Sequence, residues 1–178
     1  MKATGIIRKV DELGRIVLPK DIRRSLNLNV GTPIEIYING NTLILKEYSQ
    51  LQNLKNQAEA ITECLAKNLE CETIITDLSN VISYFGKSKN ISENTAITSQ
   101  LEEVIQQRKC VIHNKSKNNF NFLQTDLSEY VSAIVCPIVV NGDCLGSIIC
   151  LSVAKEFTTN DVKCVNILNS LLAKKCDL

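Results

Sequence analysis

The sequence has no tryptophan, only three prolines and seven glycines, and a single histidine, His113. So few breakers argue against long disordered segments. None of the eight cysteines forms a C-x-x-C pair, so the close ligand pairs of a structural zinc site are missing. No apolar run approaches the roughly 20 residues that span a bilayer, and no membrane contact is expected. The opening MKATGIIRKV holds no apolar signal core, so a cytoplasmic location is expected. There is no G-x-G-x-x-G, Walker-type loop or H-E-x-x-H. His113 has no sequence-near carboxylate or serine set resembling a triad. No catalytic residue, metal or cofactor is therefore expected.

What the chain does have is 178 residues, 44% of them hydrophobic and 22% charged, the balance of a folded globular protein. Several cysteines sit inside apolar runs, as in AIVCPIVV and SIICLSV. There they read as small buried hydrophobes, and without a secretion signal no disulfide is expected. Charge is uneven. Residues 1–48 carry eight Lys/Arg against five Asp/Glu, and the remainder carries twelve against fourteen. The basic excess lies in the short N-terminal part, which suggests an anionic partner there.

Four short strands are expected in the first 48 residues: 5–10, 15–18, 34–38 and 42–47. Asp11-Glu12-Leu13-Gly14 and Asn39-Gly40-Asn41 supply the turns. Ile34, Ile36 and Ile38 alternate with polar residues in the period of a half-buried strand. Between the strand pairs, PKDIRRSL predicts a short helix over 19–26, with Pro19 opening it, Asp21 in its first turn and Gly31 beyond its end. A unit this small is hard to stabilise alone, since domains near 60 residues bury only about 60% of their unfolded-chain surface. Two copies sharing one core is the expectation.

Residues 49–70 predict a helix, opened by a Ser49/Gln52 capping box. Its apolar seam is Leu51, Leu54, Ala58, Ile61 and Leu65. That seam suits either packing on its own domain or contact with another subunit. Residues 71–178 predict an α+β domain. Its elements are strands over 73–77 and 81–86, a helix over 92–109, a short strand at 110–113, two nearly all-apolar strands over 130–140 and 144–153, and a last helix, 159–175. Thr158 and Asp161 fit a capping box for that helix.

The stretch GRIVLPKDIRR within residues 3–48 resembles the DNA-binding domain of the AbrB family of bacterial transition-state regulators. The resemblance implies an α+β head in which two chains interlock hairpins into a swapped β-barrel. It also implies DNA contacts at Arg8, Arg15, Arg23 and Arg24, with Lys9 and Lys20 as supporting phosphate contacts. Arginine suits this role because its planar fork bonds phosphate bidentately and reads guanine edges. Asn and Gln are absent from the set, so DNA shape is expected to carry much of the specificity.

CPIVVNGDCLGSIICLSVAKEFTTNDV resembles the end of a GAF domain, through Pro137, the Asn-Gly-Asp turn, Gly146, Phe157-Thr158 and Asp161. Gly142 and Gly146 read as serving a turn and close packing. An AbrB-type head joined to a GAF-like domain resembles regulators of genes expressed in the developing forespore of spore-forming bacteria. The expected organisation is 1–48 head, 49–70 linker helix and 71–178 GAF-like domain. The expected partners are double-stranded DNA, at the nucleoid, and a homodimer through the head. A tetramer through helices 50–70 and 159–175 is the further expectation. The GAF-like domain either oligomerises only or also holds a small ligand, for which Tyr84, Phe85 and Tyr130 are the residues to watch. Alternative readings are an antitoxin-type autoregulator with an AbrB-like fold, a GAF-fold ligand sensor, or a sulfoxide reductase using Cys110, Cys136, Cys144 or Cys150. The hundred-residue second domain disfavours the antitoxin. The lack of cations beside Cys136 and Cys150 disfavours the reductase.

Overall fold

The computed structural model describes residues 5–26, 28, 32–116 and 119–177. The chain divides into two units, Met1–Tyr48 and Ser49–Leu178. Among the described residues no helix is long and apolar enough to cross a membrane.

In the first unit, β1 (Ile34–Asn39) and β2 (Thr42–Glu47) pair antiparallel, with Ile36 opposite Leu45 and Ile38 opposite Leu43. Gly40 turns the hairpin at φ +57°, a conformation that costs glycine little. Helix α1 (Lys20–Ser25) is shorter than expected at both ends. Pro19 stands just before it in extended conformation, and its carbonyl accepts the Arg23 N–H at 3.0 Å. Gly31 lies outside the described residues.

The expected strands 5–10 and 15–18 are not strands within this chain. Their connecting turn does form: the Asp11 N–H donates to the Arg15 carbonyl at 3.0 Å, and the Gly14 N–H to the Asp11 carbonyl at 2.9 Å. Beyond the turn no ladder follows, because a strand needs a partner edge and a layer to cover its apolar face. Here Ile7 is 86% exposed, Val17 71% and Ile38 80%. Each such side chain forgoes about 1.5–3 kcal/mol of burial.

The second unit holds a five-stranded antiparallel sheet in the order β4-β3-β7-β6-β5. These strands are β3 (Glu72–Thr76), β4 (Val81–Phe85), β5 (Val111–Asn114), β6 (Ser132–Val140) and β7 (Asp143–Ser152). The central runs are apolar throughout because both faces are covered. Ile134, Cys136, Ile138, Ile148 and Cys150 face one layer. Ala133, Val135, Ile149 and Leu151 face the other. Asn141 (φ 51°) and Gly142 (φ 87°) join β6 to β7, the two positive φ values that a tight right-twisted hairpin requires.

The expected helix over 49–70 is broken at Leu54 into α2 (Gln50–Asn53) and α3 (Lys55–Leu69), both within the second unit. The Ser49 side chain accepts the Gln52 N–H. The seam residues Leu51, Ala58, Ile61 and Leu65 are buried against this unit's own sheet. Beside α3 packs α5 (Thr159–Cys176), opened by the expected reciprocal capping box between Thr158 and Asp161. On the opposite face, α4 covers only Ser99–Gln106, not 92–109. Asn94 takes a left-handed φ of 67°, and Ala96 and Ile97 make isolated bridges to Asn80 and Leu123. The helix therefore waits for Thr98, whose side chain accepts the Leu101 N–H.

The absence of disulfides expected from sequence is corrected. Cys110 and Cys136 are joined, with Cα atoms 4.1 Å apart. Val111 pairs with Val135, so the preceding residue lies opposite Cys136, and this register was not legible from spacing.

Gly146 has a packing role: a Cβ there would sit 1.9 Å from the Thr76 carbonyl oxygen. Gly146→Ala must push β7 from the β3–β4 connection. The expected cost is about 1–3 kcal/mol, read as a lower urea midpoint; an unchanged midpoint would contradict this packing.

Candidate nucleic-acid interface

The basic residues of the first unit stand on three local structures. Arg8 and Lys9 lie on the exposed segment before the Asp11 turn, and Arg8 Nη1 donates to the Ile7 carbonyl at 3.1 Å. Arg15 follows the turn. Asp11 organises that turn through one carboxylate oxygen, which accepts the N–H of Leu13 at 3.0 Å and of Arg15 at 2.8 Å. The other oxygen accepts Arg15 Nε at 2.8 Å. These bonds, led by the Arg15 backbone N–H, hold the Asp11 carboxyl below its usual range. Asp11 thus fixes the direction of Arg15 while leaving its terminal guanidinium nitrogens unused by that pair. The D-E-L-G tetrapeptide carried the signal, since an aspartate opening a turn commonly bonds the backbone two residues on.

Lys20, Arg23 and Arg24 belong to α1. Spacings of three and four residues place them on neighbouring positions of one helix surface. Arg24 is exposed and Arg23 half-buried. Both lie in the last turn, where cations complement the helix dipole. Arg15 and α1 are separated only by Ile16 to Pro19, so the change from extended chain to helix keeps the cations close along the chain. Such an array can neutralise phosphates without any catalytic group.

In the second unit the structure brings Tyr84 and Tyr130 together and leaves Phe85 apart. The Tyr84 and Tyr130 hydroxyls donate to Glu72 Oε2 at 2.6 and 2.7 Å. Glu72 Oε1 accepts the N–H of Lys87 at 3.0 Å and of Ser88 at 3.2 Å. Burial alone would raise the Glu72 carboxyl; these four donors outweigh it and hold it below its usual value of 4.5. Burial, then the Glu72 carboxylate, pushes both tyrosine hydroxyls well up. Gly86 belongs to the same cluster, because a Cβ there would come within 2.4 Å of the Tyr84 hydroxyl. Phe85 points elsewhere, with Lys67 Nζ 5.9 Å from its ring centroid. Glu72 and Gly86 carried no sequence signal as site residues, since their partners converge only in the fold. Beyond Tyr130, a cavity of 280 Å³ is lined by Lys115, Asn119, Phe120 and Leu127. The sheet face behind it is filled by Phe122, Leu123 and Tyr130.

Residues 53–177 match the family described as "Stage V sporulation protein T C-terminal, transcription factor". Residues 7–53 match "Antidote-toxin recognition MazE, bacterial antitoxin". Over 99% of its length the chain is 36% identical to stage V sporulation protein T of Bacillus subtilis (strain 168), covering 99% of that protein. The chain belongs to the stage V sporulation protein T family. Its first part is also similar to the transition state regulatory protein AbrB of Bacillus subtilis (strain 168): 52% identical over 48 residues, 27% of this chain and 50% of that one. The second unit shares its fold with the GAF domain of an Acinetobacter phosphoenolpyruvate-protein phosphotransferase, at TM-score 0.60 and 14% identity over 71% of this chain and 86% of that one. The fold class is therefore α+β, an AbrB-like head followed by a GAF-like domain.

Glu72 yields a pH prediction for this family member. A carboxyl held below its unfolded value stabilises the fold above that value and loses the contribution as pH falls through the folded one. Stability of the second unit should therefore drop as pH falls below about 4.5. Glu72→Gln should lower stability at pH 7 and flatten that acid slope, measured by urea unfolding across pH. An identical acid slope in the variant would count against the cluster.

Proposed function

We propose that this chain is a DNA-binding regulator of sporulation genes whose DNA surface is completed only when two heads pair. The carrying observation is that the basic residues Arg8, Lys9, Arg15, Lys20, Arg23 and Arg24 are interleaved with apolar side chains that stay largely exposed among the described residues, Ile7, Val10 and Val17 foremost. Pairing would bury Ile7, Val10, Ile16 and Val17 against the partner, supply edges for residues 5–10 and 15–18, and complete the swapped barrel. It would also present each arginine twice at a spacing fixed by the shared core. Phosphate neutralisation then gives affinity, and groove shape read by arginine gives much of the specificity. Such a protein works at the nucleoid in the cytoplasm, without an enzymatic step.

Assembly beyond the dimer uses the second unit. The α3 seam is spent on its own sheet, so the contact falls to the other helix faces. On α5, Ile167 is 69% exposed and Leu171 51%, one helical turn apart, and they suit a second pair of heads joined as a tetramer. The cavity beside Tyr130 is near the lower limit of about 300 Å³ for ligand pockets. Any effector held there is small, and its binding would act by reorienting the paired heads.

Arg23→Ala with Arg24→Ala should abolish promoter binding while leaving the oligomer intact by sedimentation. Weaker single substitutions should reduce the slope of log K against log salt by about 0.9 for each phosphate no longer neutralised. Unchanged promoter binding by the double variant would exclude α1 from the interface.

A further inference from the structure

Cys110 and Cys136 occupy facing positions, the first just before β5 and the second within β6. Cys136 is fully buried. Cys110 is half-buried and lines a groove of 520 Å³ together with Arg108, Lys109, Asn166, Asn169 and Ser170. Cationic neighbours favour a thiolate, and two of them share the groove with this sulfur. The same sulfur lies 2.8 Å from Asn166 Oδ1 of α5. In the same structure that sulfur is bonded to Cys136, so it faces Cys136 across the sheet and Asn166 on the helix at once.

We propose that Cys110 and Cys136 form a reversible thiol-oxidation site, in which Cys110 reacts with a small peroxide and Cys136 resolves the product. The Cys110 thiolate attacks one peroxide oxygen, the O–O bond breaks, and water leaves once the departing oxygen takes a proton. Cys110 is then a sulfenic acid. The Cys136 thiolate attacks that sulfur, the S–O bond breaks, and a second water leaves as the disulfide forms. For hydrogen peroxide, two thiols and one peroxide give one disulfide and two waters; the sulfurs lose two electrons and the peroxide gains them. A dithiol reductant reverses the bond by thiol–disulfide exchange. An accessible cysteine beside a resolving one is the arrangement that such sites require.

Geometry separates this pair from the other cysteines. Cys150 is fully buried and shares a side-chain hydrogen bond with Cys71, yet the two are not joined. Cys64 and Cys164 are exposed on helix surfaces. With the disulfide in place, α5 meets β6 through Asn169, whose Nδ2 donates to the Pro137 carbonyl at 2.9 Å. The inference is independent of the DNA reading.

The test uses the full chain, reduced with dithiothreitol and freed of it, then exposed to stoichiometric hydrogen peroxide, alkylated and mapped by mass spectrometry. The expected result is loss of about two thiols per chain, with a Cys110–Cys136 linked peptide as the main product and recovery on dithiothreitol. Cys110→Ser should consume peroxide about tenfold more slowly. Cys136→Ser should react at the wild-type rate but stop at a sulfenic acid on Cys110 that dimedone traps. A main product at any other pair, or no two-thiol loss, would overturn the proposal. Because the wild-type product map decides by itself, a variant that fails to fold leaves the test intact.

Discussion

A strand that buries one face needs a second layer, and the described residues of the first unit supply none. Their hairpin β1–β2 and their helix of six residues leave Ile7, Val17 and Ile38 largely in water. The unit also has no metal site or disulfide among its described residues to hold it. This unmet burial governs the rest of the head. It accounts for the missing ladder over 5–10 and 15–18, and for arginines set beside apolar side chains. Pro19 then turns extended chain into helix within one residue, which keeps Arg15 close in sequence to Arg23 and Arg24.

The second unit solves the same problem internally. Two layers cover its sheet, so β6 and β7 can be apolar on both sides. Gly146 lets β7 lie against the Thr76 carbonyl, and the Glu72 cluster ties β3 and β4 to the segment before β6 through hydrogen bonds to Tyr84 and Tyr130. The sheet face that could hold a ligand is mostly occupied by the protein's own Phe122 and Leu123. On the helix surface of α5, Ile167 and Leu171 stay exposed.

Much of this was legible in the sequence where one local signal sufficed. The apolar runs of β6 and β7, the Asn141-Gly142 turn, the Thr158–Asp161 cap and the strands on either side of Gly40 depend on neighbours within a few residues. Gly146 was readable as a close-packing glycine. Features that depend on distant partners were not. Ser92 to Ile97 has helical composition but is taken by bridges to Asn80 and Leu123. Glu72 looks like an ordinary strand glutamate until residues 84, 87, 88 and 130 converge on it. The Cys110–Cys136 pair follows from the β5–β6 register, which no spacing rule supplies. Strands 5–10 and 15–18 have the right pattern, but among the described residues of the first unit no layer covers them.

The central claim is that the head's core is shared between chains. Amide hydrogen exchange of the full-length protein, followed over a dilution series alongside sedimentation, tests it directly. Amides of residues 6–10 and 15–18 should be protected where the protein is dimeric or larger, and that protection should fall as dilution dissociates it. Protection of these amides in a monomer, or their free exchange within an intact oligomer, would contradict the claim.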